Sequence, residues 1–174
     1  MKNAAVAVAL LCLLANAAFA GTLNAADAEK LRADVAALTV AVERGDAEPL
    51  IARTHPSLHS LAGGPDEFAK FTREAVEQVR QIGVKFLSSE VGAPTQTYPA
   101  GDEEVCFVPR TSVMELEGKK VRSTTFMIAI RRLNSSDWKY IDGAGLRDRP
   151  ELLYQLLPKL ERGISLPPNA MEVL

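Results

Sequence analysis

Cysteine, histidine and aromatic residues are all scarce in this chain. Of two cysteines, Cys12 sits in an apolar N-terminal stretch, which leaves Cys106 alone in the rest of the chain. An intramolecular disulfide framework is therefore excluded there. His55 and His59 are the only histidines. Their spacing of four suits a metal on a continuous helix, but Pro56 lies between them and no third ligand is marked, so neither a metal nor a cofactor is expected. An excess of basic charge is also missing: 20 Lys and Arg stand against 22 Asp and Glu, which points away from nucleic acid. Past the N-terminus no apolar run approaches the roughly 20 residues that cross a bilayer. Ser57, Ser60, Ser88 and Ser89 carry no nucleophile signature around them, so no catalytic triad is expected.

What is present begins with an address. Lys2, an apolar core over Ala4–Leu14 and the small-x-small motif Ala18-Phe19-Ala20 form a secretory signal peptide over residues 1–20, cleaved after Ala20, and the product is expected to be periplasmic or secreted. Bulky Leu11 before Cys12 argues against a lipoprotein signal. Without Lys2, 19 basic residues face 22 acidic ones, a net charge near −3.

Asn24 and Asp27 mark a helix start, and Leu31, Val35, Leu38 and Val42 recur at helical spacing, predicting a first helix from about Ala25 to Arg44. A short second helix follows Asp46 and ends near His55 because Pro56 disfavours helical geometry before it. Gly63-Gly64-Pro65 opens a third, with Phe68, Phe71, Ala75, Val79 and Ile82 as its apolar stripe. From Val84 the period changes to two. VKFLSSEV reads as a strand, GAPTQTYPAGD as a loop, and EEVCFVPRTSVMELE as a long strand with Pro109 at an edge or bulge. The turn near Gly118-Lys119 predicts Glu117 opposite Lys120. Asp148–Glu151 caps a last short helix with a leucine stripe from Leu152 to Leu160, and residues 163–174 form an extended tail.

The chain is organised around Thr124–Leu146. With a four-residue loop after Leu133, Ile130 falls opposite Ile141 and Arg131 opposite Tyr140. Phe126, Ile128 and Ile130 then share one aliphatic face, expected to meet Leu31, Leu38, Phe68 and Phe71 of the helices. Met127, Ala129, Leu133, Trp138 and Tyr140 share the other. So much apolar surface calls for a cover, expected from a second copy in a homodimer or from residues 150–160. Cys106, within Val105–Val108, reads as a small buried side chain.

Three helices followed by an antiparallel meander, the Arg44-Gly45-Asp46 break before Pro49-Leu50-Ile51, and Asp137-Trp138-Lys139-Tyr140-Ile141 together resemble the NTF2-like, or cystatin-like, superfamily over roughly residues 24–143. The tail from Asp142 to Pro168 is similar to that of small exported bacterial proteins. The resemblance implies an α+β domain over residues 21–162: three N-terminal helices on a curved antiparallel sheet forming a cone, plus a short C-terminal helix. It also implies pairing through the sheets. The superfamily includes isomerases, dehydratases and cyclases that use an acidic residue, a Tyr or a His in the cone. Here the position after the second helix reads Thr54-His55-Pro56-Ser57, and the first helix has no Tyr or His. The expectation is therefore a binding domain for a small molecule or an envelope protein, with no catalytic residue assigned. The alternative is a lyase or isomerase using His55. His55, Arg131, Trp138, Tyr140 and Asp142 are the candidate pocket or interface residues.

Overall fold

The computed structural model describes residues 21–174; the signal peptide expected over residues 1–20 lies outside the described residues. Helix α1 (Ala25–Glu43) starts where the sequence places it, with the Asn24 side chain accepting from the Asp27 amide at 2.8 Å and so satisfying a free donor of the first turn. In α2 (Glu48–Arg53) the Glu48 amide donates to Asp46 Oδ1 at 3.1 Å. Pro56 then does more than end a helix. It opens α3 (Pro56–Leu61) with His55 as N-cap, since proline at the first helical position gives up no hydrogen bond. With α4 (Pro65–Gln81), four helices precede the long strands rather than three.

The seven strands are β1 (Gly21–Thr22), β2 (Lys85–Val91), β3 (Gln96–Ala100), β4 (Glu103–Leu116), β5 (Lys119–Arg132), β6 (Lys139–Asp142) and β7 (Ala170–Val173), paired antiparallel in one sheet. The long β4–β5 hairpin is its spine. Along the outer edge of β4 lie β3 and then β2; along that of β5 lie β6 and then β7. Pro109 is thus in an inner strand, yet it breaks no ladder: its carbonyl accepts from Gly92 at 2.8 Å, so its missing donor would point the same way, into the gap where β3 has ended and β2 begins. Gln96–Ala100, expected as loop, is strand β3. The expected tail contains β7, whose residues pair with Val121–Thr124.

Both hairpin registers differ from expectation by two residues. Glu117 and Gly118 have φ of 51° and 75°, forming a two-residue turn of the primed type that matches strand twist. Leu116 therefore faces Lys119, and Glu115 faces Lys120. On the other side Ile128 faces Ile141 and Ala129 faces Tyr140. A two-residue shift leaves every side chain on its own face, so the grouping into two faces holds.

Which element covers each face does not follow expectation. Phe126, Ile128 and Ile130 cluster with Leu146 of a 3-10 turn, with Leu153 and Leu156 of α5 (Leu152–Leu156), and with Leu157 and Leu160. The helical side chains Leu31, Val35 and Leu38 instead cluster with Cys106, Val108, Met127, Ala129, Trp138 and Tyr140. The mixed face is thus closed by α1 of the same chain, and of its apolar set only Leu133 is exposed. The surface that was expected to pair two copies is already buried. The near-continuous apolar runs Val105–Val108 and Phe126–Ile130 are those of strands buried on both faces. No helix among the described residues is long and apolar enough to cross a membrane.

Candidate functional site

A cavity of about 380 Å³ lies between the mixed sheet face and the helices, near the lower end of the range usual for small-molecule sites. Met127, Tyr140, Arg110 and Asp142 come from the sheet, Leu38 and Val42 from α1, and Leu50, Thr54 and Leu58 from around α2 and α3. The remaining wall is α4, which presents Phe68, Phe71, Thr72, Ala75, Val76 and Val79. This helix is strongly amphipathic, yet only Val76 is buried and Phe71 is 51% exposed. It rests on α2 and α3, fastened by a bidentate Arg73–Glu48 pair at 2.7 and 3.2 Å and by His59 against the Phe68 ring. The backbone reverses into it through Gly64, whose φ of 123° suits only glycine. The apolar stripe read from the sequence is real, but it lines a hollow instead of filling a core.

Tyr140 sits at the hub of a polar cluster beside the cavity. Its hydroxyl donates to Asp34 Oδ2 at 2.7 Å, and Arg53 and Lys30 donate to the same oxygen at 2.7 and 2.8 Å. Burial alone would raise the Asp34 carboxyl, but the three donors outweigh it and hold it below the ordinary carboxylate value. Burial, and then the adjacent Asp34, push the Tyr140 phenol well above its usual range, so the hydroxyl acts as a fixed donor. Residues 54 and 55 complete the arrangement: Thr54 bridges to Tyr140, and the His55 amide donates to the Tyr140 carbonyl at 3.0 Å.

Of the five sequence candidates, the structure brings Tyr140 and Asp142 together in the cavity lining. His55 lies apart from it, buried, with Nδ1 2.8 Å from Ser57 Oγ and Nε2 3.1 Å from Glu103 Oε1. Both ring nitrogens are engaged, and the ring serves as a helix cap and a clamp to β4. Arg131 is clamped between Asp27 at 2.8 Å and Glu104 at 2.7 Å, with its guanidinium 4.3 Å from the Trp138 ring centroid. Trp138 is fully buried in the α1-side core. Arg131 and Trp138 therefore belong to the packing beneath α1. Burial pushes the Cys106 thiol up to about 12, as expected of a small buried side chain and not of a nucleophile.

Arg110 was missed by sequence reasoning. It follows Cys106 and Val108 at spacing two on one strand face, and a charge interrupting an apolar alternation is the signal that could have flagged it. Its side chain is 13% exposed and bonds Asp142 Oδ2 at 2.9 Å. Asp142 is itself fixed, since its other oxygen accepts from the Ala144 amide at 2.8 Å. Both residues also line a smaller recess of about 110 Å³, where Thr39, Ser112 and Ser123 stand beside Val42, Phe86 and Met114, so the ion pair lies between two spaces. Comparison with family models, curated proteins and solved structures gives no match for this chain.

Proposed function

We propose that this is an exported NTF2-like α+β domain that binds a small, mainly apolar molecule in the cavity beneath α4, without catalysing its conversion. One observation carries the reading: the apolar face of α4 lines an open space of ligand size instead of packing on the sheet. Helices preceding the long antiparallel strands, and the strand that follows Trp138, support the family resemblance. His55, the residue on which a lyase or isomerase reading would depend, has both ring nitrogens engaged away from this space.

A neutral fluorescent probe, N-phenyl-1-naphthylamine, is expected to bind saturably. Ala75→Trp, which places an indole in the cavity, is expected to weaken that binding at least tenfold without lowering the melting temperature. Unchanged affinity in the folded variant would refute the assignment. Export is tested separately by intact mass of periplasmic protein: a chain beginning at Gly21 is expected, and a retained residue 1 or an acylated Cys12 sinks the signal peptide.

A further inference from the structure

We infer that the ligand is a monocarboxylate amphiphile whose head is received by Arg110; the inference rests on the cavity reading above and names its ligand class. Two largely enclosed arginines of the sheet differ in the partners the protein gives them. Arg131, with 15% of its side chain exposed, meets two carboxylates, Asp27 and Glu104. Arg110, with 13% exposed, meets one, Asp142, through a single nitrogen. Its Nε and Nη1 make no hydrogen bond among the described residues, and neither is sealed from open space. Each fork of a guanidinium pairs Nη2 with Nε or with Nη1, and the second Nη2 hydrogen leaves one such edge of Arg110 free to meet a carboxylate with two parallel hydrogen bonds. The partner that Arg131 finds in the protein, Arg110 is left to find in the cavity.

Charge narrows the class further. One ligand carboxylate would give the Arg110 cluster the same net −1 that Asp27, Arg131 and Glu104 carry together. A phosphate dianion would add a second unbalanced charge against Asp142. An ammonium head is disfavoured because it would stand against the like charge of Arg110, which already holds Asp142 Oδ2. The small recess behind the pair includes the hydroxyl-bearing Thr39, Ser112 and Ser123 among apolar Val42, Phe86 and Met114, which gives the water that a carboxylate head retains polar partners there. The apolar walls of Leu38, Phe68 and Val79 take the body.

Calorimetric titration of the purified protein at neutral pH with decanoate, decanol and decylamine tests this. Decanoate is expected to bind about tenfold or more tighter than decanol, in line with charge-assisted hydrogen bonds, and decylamine more weakly than either. Arg110→Gln should erase the preference for decanoate while leaving decanol affinity within about threefold. Arg110→Lys, which keeps the charge and loses the fork, should retain part of the preference. Equal binding of decanoate and decanol by the unaltered protein overturns this inference and leaves the cavity reading standing. So does a preference that survives in Arg110→Gln, or a preference for decylamine. No binding of any of the three overturns this inference, and saturable binding of N-phenyl-1-naphthylamine decides the cavity reading by itself.

Discussion

Ile128→Ala and Leu153→Ala are each expected to lower the unfolding free energy by about 2–5 kcal/mol, the range for large-to-small changes at fully packed positions. Both side chains are completely buried in the cluster that the C-terminal segment closes. At about 2–4 °C per kcal/mol for a chain of this size, the melting temperature should fall by several degrees at least. The informative comparison is Phe71→Ala. If α4 packed on Ile128, as the apolar stripe suggested, Phe71 would be a core residue of equal importance. It is half exposed on the cavity wall, so its truncation should cost no more than about 0.5 kcal/mol, as for ordinary surface positions. A Phe71→Ala loss as large as that of Leu153→Ala would return the helices to the aliphatic face. A Leu153→Ala melt unchanged within a degree would remove the C-terminal segment from the core.

That exchange of partners shows what a sequence can and cannot convey about this fold. Local chemistry was legible: the Asn24 cap, the Pro and Gly punctuation of the helical half, and the period-two alternation of β4 and β5 all act over a few residues. The two faces of the hairpin were separable even with the register wrong, because each error was a shift of two. Three strands were lost for identifiable reasons, Gly21–Thr22 among them because two residues show no period. Gln96–Ala100 contains Pro99 amid turn-forming neighbours, and Ala170–Val173 is too short to show a period. Whether an apolar helical stripe fills a core or lines a hollow depends on what stands opposite, which periodicity does not encode; α4 is the instance. The site was legible only in part. Tyr140 and Asp142 were reachable from the strand that carries them, whereas Arg110 gains meaning only from Asp142, 32 positions away. The bond between Tyr140 and Asp34 spans 106 positions.

That long-range bond carries the second large effect. Asp34→Asn is expected to cost about 1.5–3 kcal/mol at neutral pH, the range for hydrogen bonds to a charged group. It removes the charge that Arg53 and Lys30 share with the Tyr140 hydroxyl and leaves Arg53 part-buried beside a neutral amide. The sign with pH follows from linkage. Asp34 has its folded value held below that of the unfolded chain, so its ionised form stabilises the fold above the unfolded carboxylate value of about 3.9. That contribution drains away as pH falls through the lower, folded value. Denaturation of both proteins across this range should therefore show the gap between them shrinking toward strongly acid pH, although both weaken as other carboxylates titrate. Tyr140→Phe, which keeps the carboxylate and its two cations, should cost only about 1 kcal/mol and keep most of the acid dependence. The cluster ties α1 and α2 to the strand that floors the cavity, so Asp34→Asn should also weaken probe binding although it touches no ligand. A stability gap that stays constant from neutral to acid pH would show that Asp34 is not the ionised keystone of this joint.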